Sequence, residues 1–419
     1  MDGKNKEKTV FVDGGVCAAQ GFHAAGMYAG FKKSRKKDLS LIYSETLCDA
    51  AAAYTTNKVK GATLKVTMEH LADGKAQAVI TNSGYANTLA PNGMEIARKT
   101  CALTGGALGL KKEDVIVCST GVIGQPPMIG PFEKGIPKLA KAVLAGGGPE
   151  DKYYGAGNAA EAIMTTDTVR KEAAAEFKIG SRTCRIGGMA KGSGMINPNM
   201  ATMLVFITTD VNISPPLLRD ALKSDINHSF NQISIDGDTS TNDTVVILAN
   251  GKAGNKRINA FGSDFAAFAA ALNRVTVKLS RMLAKDGEGA TKLIECRVKN
   301  APTDELAMKI AKMVIQSDLV KTAIYGSDAN WGRILCAVGY TPGNFNTDNV
   351  DVVLSSSGGQ VTVCEASFAV AFDEALAKQV LDMDEIQILV NLHDGMANAE
   401  AYGCDLTYDY VKINGMYRT

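Results

Sequence analysis

The chain is poor in the groups that metal and redox chemistry need. Its four histidines, His23, His70, His228 and His393, lie far apart and show no metal-ligand spacing. A zinc enzyme is not the reading. Its nine cysteines run from Cys17 to Cys404 without a C-x-x-C pair. An odd, scattered set in a large chain reads as reduced thiols rather than a disulfide framework. Charge of one sign is also lacking: 45 Lys+Arg face 44 Asp+Glu. No global field therefore gathers nucleic acid or an acidic membrane. No apolar run approaches the ~20 residues of a membrane helix. The most apolar short stretch, residues 265–272, reads as a core helix segment. The start, Met1-Asp2-Gly3-Lys4-Asn5-Lys6-Glu7-Lys8, carries acids and has no apolar h-region. It reads as neither a signal nor a transit peptide, and a cytoplasmic protein is expected.

What is present is ordinary for a globular chain: 419 residues, 46% hydrophobic and 21% charged. At ~100–200 residues per domain, two or three domains are expected. Glycine is abundant at 42 residues, a sign of tight turns and close backbone approaches. Short β-rich runs at 9–12, 39–43, 77–81 and 115–118 alternate with helical stretches at 94–108, 131–144 and 156–164. Residues 201–209, a continuous apolar run, form the clearest strand, and 244–249 form another. Ser214 and Pro215 supply an N-cap and first-turn proline for a helix to about 229. Helical spacing of Phe265, Phe268, Leu272, Val275, Leu279 and Met282 predicts a helix over 264–285, stopped by Gly287. Beyond it the pattern predicts strands at 293–298, 350–354, 361–364 and 386–392, helices at 303–315, 330–338 and 366–381, and a closing strand near 406–413. Strands mixed with helices throughout predict an α/β (α+β) sandwich. The boundary is placed after Gly287, giving a core of 1–287 and a C-terminal α/β region of 288–419.

Common catalytic signatures fail. In Gly187-Gly188-Met189-Ala190-Lys191-Gly192-Ser193 the lysine precedes the second glycine of a phosphate loop instead of following it. There is no G-x-S-x-G elbow. Asp236-Gly237-Asp238-Thr239-Ser240 lacks the glycine and glutamate of a calcium loop. The basic run at 32–37 reads as a solvated loop. Hydroxyl-rich loops on buried strands remain: Asn82-Ser83-Gly84, Ser119-Thr120-Gly121, Thr165-Thr166-Asp167-Thr168, and the stretch from Lys191 to Thr202. The last ends with a threonine at the mouth of an apolar strand. Threonine becomes a nucleophile when a base adjoins it, and a freed N-terminal amine is such a base. Its pKa near ~7.7–8.0 suits that task at neutral pH. The residues alone leave open whether Thr202 is merely a strand residue.

The segment Lys191-Gly192-Ser193-Gly194-Met195-Ile196-Asn197-Pro198-Asn199-Met200-Ala201-Thr202-Met203-Leu204 resembles the self-cleavage motif of the ornithine acetyltransferase (ArgJ) family of arginine biosynthesis. Resembling segments run in order along the chain: Gly14-Gly15-Val16, Thr55-Thr56-Asn57, Ser119 to Gly124, Ser234 to Asp243, Asn330-Trp331-Gly332-Arg333, and Tyr402 to Val411. Two places depart from the family pattern. Tyr85 stands where asparagine is usual, which points to an altered pocket wall, and Ala329 stands where proline is usual.

The resemblance implies cleavage between Ala201 and Thr202, leaving fragments 1–201 and 202–419. It implies Thr202 as nucleophile, Thr120 and Gly121 as the oxyanion hole, and Thr165, Lys191, Thr202, Glu288, Asn414 and Thr419 as substrate-binding residues. The implied reaction moves acetyl from N2-acetyl-L-ornithine to L-glutamate. No cofactor and no metal are implied, although acetyl-CoA is a possible second donor. The implied fold is a four-layer αββα sandwich of the N-terminal-nucleophile-like DmpA/ArgJ type. The implied assembly is an α2β2 heterotetramer, without nucleic acid or membrane partners. An N-terminal-nucleophile aminopeptidase or amidase of the same topology is the alternative.

Overall fold

A computed structural model describes residues 9–147, 151–197 and 203–416. In chain order its elements begin β1 (Val10–Val12), β2 (Phe22–Met27), β3 (Leu39–Tyr54), α1 (Ala62–His70), β4 (Lys75–Tyr85), α2 (Gly93–Leu108), β5 (Val115–Val122), α3 (Gly130–Leu144) and α4 (Ala156–Ile163). Next come β6 (Lys171–Ile179), β7 (Arg182–Lys191), β8 (Leu204–Thr209), α5 (Pro215–Asn227), β9 (Ile233–Ser234), β10 (Thr244–Ala249) and α6 (Ser263–Lys285). The remainder is β11 (Leu293–Ala301), α7 (Asp304–Gln316), α8 (Asp318–Tyr325), α9 (Trp331–Gly339), β12 (Asp351–Ser356), β13 (Gly359–Glu365), β14 (Phe368–Ala369), α10 (Glu374–Leu381), β15 (Glu385–Asn391), β16 (Ala397–Cys404) and α11 (Tyr408–Gly415). The fold is mixed α/β, built on two sheets.

Two compact units share the chain. The first takes residues up to 192, then 199–227 and 239–279. Its nine-stranded sheet runs β1-β6-β7-β8-β10-β3-β4-β5, with β2 paired to β3. β8 runs parallel to β10, and β4 parallel to β5; the other pairs are antiparallel. The central strands read as continuous apolar runs because both faces are covered. Successive side chains alternate between faces. Ile42, Val79, Ile116 and Cys118 share one core with Ala159, Ala160 and Ile163 of α4. Leu41, Ile80, Val115 and Val117 share the other with Ala97 and Cys101 of α2 and Ile136 and Leu139 of α3.

The second unit holds 193–198, 228–238 and 280–419. Its sheet runs β14-β13-β12-β15-β11-β16-β9, with β11 parallel to β15 and β16 parallel to β9. Ile310 and Val314 of α7, Val380 of α10 and Ile388 of β15 belong to its core. Thr303 caps α7 by accepting from the Leu306 N–H, and Asn330 caps α9 by accepting from that of Arg333.

Some sequence expectations fail for local reasons. Residues 406–413 are not a strand. The strand is β16, and Thr407 then accepts from the Tyr410 N–H to start helix α11. Threonine favours strands, but its hydroxyl also caps helices, and here the cap prevails. The helix expected from 366 starts only at Glu374, where Asp373 caps it. Ala366 and Ser367 take positive φ of 46° and 66° in the turn between β13 and β14. β2, α1, β6 and α8 were not anticipated, and β3 runs well beyond 39–43.

Candidate active site

In the first unit the site grows from the ends of β4 and β5. Gly84 and Gly121 face each other across the two strands. Gly121 has φ +129°, and a Cβ there would sit 2.5 Å from the carbonyl carbon of Gly84. Only glycine fits that approach. Asn242 fixes the adjoining turn. Its amide donates to the carbonyls of Ala86 at 2.6 Å and Ser119 at 3.0 Å. Its oxygen accepts from the hydroxyls of Thr88 and Thr241, each at 2.6 Å. Thr120 is thus held on an ordered backbone, and Lys191 Nζ donates to its Oγ1 at 3.1 Å. Because that oxygen accepts from the ammonium, its own proton can be directed elsewhere.

Lys191 closes β7, and Asp167 anchors the turn that follows. Asp167 Oδ1 accepts from Gly192 N–H at 2.7 Å and from Lys171 Nζ at 2.6 Å, and Oδ2 accepts from Thr165 N–H at 2.9 Å. The Asp167 and Lys171 side chains are both fully buried. Burial alone would raise the Asp167 pKa. The charges of Lys171 and Lys191, with the hydrogen bonds from Lys171 and Gly192, instead hold it at about 2. Lys32 corrects the picture of a solvated basic run. It donates to the carbonyls of Met164 at 2.7 Å and Lys37 at 2.8 Å, and burial brings its pKa down to about 8. Residues 33–36 are exposed as expected. Asp243 immediately precedes β10, whose Thr244 N–H donates to the Met203 carbonyl at 2.9 Å. Burial pushes the Asp243 carboxyl well above the usual carboxylate range, against the pull of Ser240, Lys191, Thr55 and Lys60.

In the second unit Glu288 N–H donates to the Ser193 carbonyl at 2.8 Å. Gly194 lies flat against the Glu288 carboxylate: a Cβ there would come within 2.4 Å of Oε2. Asn414, on α11, donates from its amide to Glu288 Oε2 at 2.7 Å. Tyr410, one turn earlier, donates to Asp236 Oδ2 at 3.3 Å. Burial first, and then the Asp236 charge, raise the Tyr410 pKa.

The expected residues thus fall into two groups. Thr120, Gly121, Thr165 and Lys191 cluster in the first unit; Glu288 and Asn414 pair in the second. Ala201, Thr202 and Thr419 lie outside the described residues, with β8 starting at Leu204. Tyr85, the residue after Gly84 at the end of β4, is buried in the core, its ring 5.6 Å from that of Phe31. Ala329 packs against the second core. Asp167, and Asn242 and Asp243 in the Ser234–Asp243 segment, lay in stretches the sequence had marked but were given no role, and Lys171 was not singled out, since a polar run does not show which of its members becomes buried. Among the described residues, no group of three His, Cys, Asp or Glu could hold a metal ion, and no helix is long and apolar enough to cross a membrane.

The sequence pattern of the ArgJ family matches residues 23–419. The chain belongs to the ArgJ family. It is 49% identical over 409 residues to the arginine biosynthesis bifunctional protein ArgJ of Caldanaerobacter subterraneus, covering 97% of this chain and 99% of that one. The corresponding protein of Symbiobacterium thermophilum is 50% identical over 409 residues, with the same coverage. A crystal structure of the arginine biosynthesis bifunctional protein of Bacillus halodurans is 46% identical and covers 50% of this chain and 97% of its own, with a TM-score of 0.48. As an ArgJ-family member the chain is an acyltransferase of the ornithine acetyltransferase kind.

Proposed function

We propose that this ArgJ-family chain cleaves itself between Ala201 and Thr202 and then moves acetyl from N2-acetyl-L-ornithine to L-glutamate. The observation that carries the reading is the Lys191–Thr120 pair beside Gly121. It supplies an oriented hydroxyl beside a glycine N–H, the kind of donor pair that an acyl-transfer oxyanion needs. In the proposed reaction the Thr202 hydroxyl attacks the acetyl carbonyl and passes its proton to the Thr202 amine. Charge then builds on the carbonyl oxygen. Thr120 and the Gly121 N–H are assigned to receive it, and one such donor supplies ~2.7–4 kcal/mol. Collapse expels ornithine, whose departing amine takes the proton, and leaves an ester on Thr202. The amine of glutamate attacks that ester, N-acetylglutamate departs, and the hydroxyl and amine are restored.

Lys191 is assigned to a substrate carboxylate and Glu288, braced by Asn414, to the δ-ammonium of ornithine. Thr165 and Thr419 complete the substrate set. The family's naming of curated relatives as bifunctional supports acetyl-CoA as a further acetyl donor. No bound cofactor is required by the mechanism. The mature enzyme is read as a cytoplasmic α2β2 heterotetramer. The test is incubation with N2-acetylornithine, with and without glutamate. Transfer gives equimolar ornithine and N-acetylglutamate only when glutamate is present. Steady release of free acetate in both cases overturns the reading in favour of a hydrolase. On a denaturing gel the active protein should run as two bands, and the smaller-numbered sequence start of the second should be Thr-Met-Leu-Val.

A further inference from the structure

Within the second unit, Asp236 is the hub of a clamp on the segment that leads toward the scissile bond. Its Oδ2 accepts from Met195 N–H at 2.5 Å, and its Oδ1 accepts from Ile196 N–H at 2.9 Å. Oδ1 also accepts from Asp238 N–H at 3.3 Å, which closes the Asp236 turn on itself. Two further bonds reinforce the alignment: Ile235 N–H donates to the Ile196 carbonyl at 2.7 Å, and the Asn197 amide donates to the Gly237 carbonyl at 3.0 Å. Three consecutive residues, 195–197, are therefore tied to three others, 235–237.

The clamp holds a conformation that the segment would not choose. Met195 has φ +55°, a left-handed setting that is uncommon for a residue bearing a Cβ. Such settings persist only when the surroundings over-determine them, and they gather where function needs them. The strain sits a few residues before Ala201, and the carboxylate that offsets it comes from elsewhere in the sequence. The Oδ2 that holds Met195 also receives the Tyr410 hydroxyl of α11, the helix that presents Asn414 to Glu288.

We propose that Asp236 is the positioning residue for self-cleavage. It acts by fixing residues 195–197, which precede Ala201 in the sequence, and its carboxylate takes no part in the chemistry. The proposal rests on the self-cleavage reading above. Orientation is worth a great deal in an intramolecular attack, and small misplacements cost large factors in rate.

The test follows the cleavage of full-length protein by denaturing gel after a short pulse of expression, with melting measured on the same preparations. Asp236→Asn keeps the shape but turns a donor toward Met195 N–H. It should slow cleavage at least ~10-fold, a barrier increase of about 1.4 kcal/mol, while the melting temperature moves by only a few degrees. Adding Met195→Gly to Asp236→Asn removes the left-handed strain and should restore part of the rate. Tyr410→Phe leaves both backbone bonds intact and should cleave at the parent rate. A parent chain that never cleaves overturns the self-cleavage reading. A parent that cleaves while Asp236→Asn keeps pace overturns this inference alone. So does a loss of cleavage that Met195→Gly leaves untouched, or one that only tracks a collapse in melting temperature.

Discussion

Replacing Lys171 by methionine isolates one buried charge pair. Lys171 Nζ and Asp167 Oδ1 lie 2.6 Å apart with both side chains fully buried. Methionine keeps the apolar stem and removes the ammonium. Asp167 would retain the N–H groups of Gly192 and Thr165, but it would lose the largest favourable interaction that opposes its burial. Breaking a buried pair by removing one partner costs ~3–5 kcal/mol. An independent route gives a compatible figure. Asp167 is held at about 2, against ~3.9 for a free aspartate, which corresponds to about 2–3 kcal/mol of stability at neutral pH.

The sign in pH follows from the direction of the shift. A depressed carboxyl stabilises fully above its unfolded pKa of ~3.9, and that contribution fades as pH falls toward the folded value. Without Lys171 the burial effect dominates and the carboxyl pKa moves upward. The variant should therefore trail the parent by about 3 kcal/mol at pH 7, and the gap should narrow first as pH falls through the variant's raised carboxyl pKa and then further as it falls from ~3.9 toward the parent's value of about 2. Denaturant unfolding at a series of pH values measures both. Equal stability at pH 7, or a gap that does not change with pH, refutes the reasoning.

Thr120→Ala should lower kcat by ~10²–10³-fold with little change in KM, because an oxyanion donor acts in the transition state. Steady-state kinetics on the cleaved enzyme checks it, and a KM effect alone would move Thr120 to ground-state binding. Glu288→Gln should raise KM for N2-acetylornithine at least ~10-fold, in line with ~1.5–3 kcal/mol for a hydrogen bond to a charged group. The same variant should leave an N-acetyl substrate with an uncharged side chain unaffected, and an equal loss on both substrates would count against the ammonium assignment. Removing residues 415–419 should weaken substrate use while leaving the melting temperature nearly unchanged, since α11 reaches its end at Gly415. Wild-type kcat/KM for N2-acetylornithine in the truncated enzyme would remove the tail from the site.

The sequence by itself determined the elements whose signals are local. The apolar runs that became β8 and β10 have buried faces on both sides, so hydrophobicity alone marks them. Helix α6 announces itself by spacing, and the Ser214-Pro215 pair marks the start of α5. Where two local preferences compete, the pattern misled: it predicted a closing strand near 406–413, and Thr407 instead caps α11. Of the candidate site, Thr120, Gly121 and Lys191 were singled out through the order of motifs along the chain, not through any single spacing.

The tertiary structure decided what those residues touch. Lys191 meets Thr120 across 71 positions of sequence, Asn242 reaches back to Ala86 across 156, and Asn414 meets Glu288 across 126. Nothing local encodes such pairs, because they exist only once strands far apart in the chain lie side by side. The Asp167–Lys171 pair is close in sequence, four residues apart, and here the tertiary structure decides the burial. Its sequence looks like an ordinary polar loop, and only full burial makes its charges felt, since water no longer screens them.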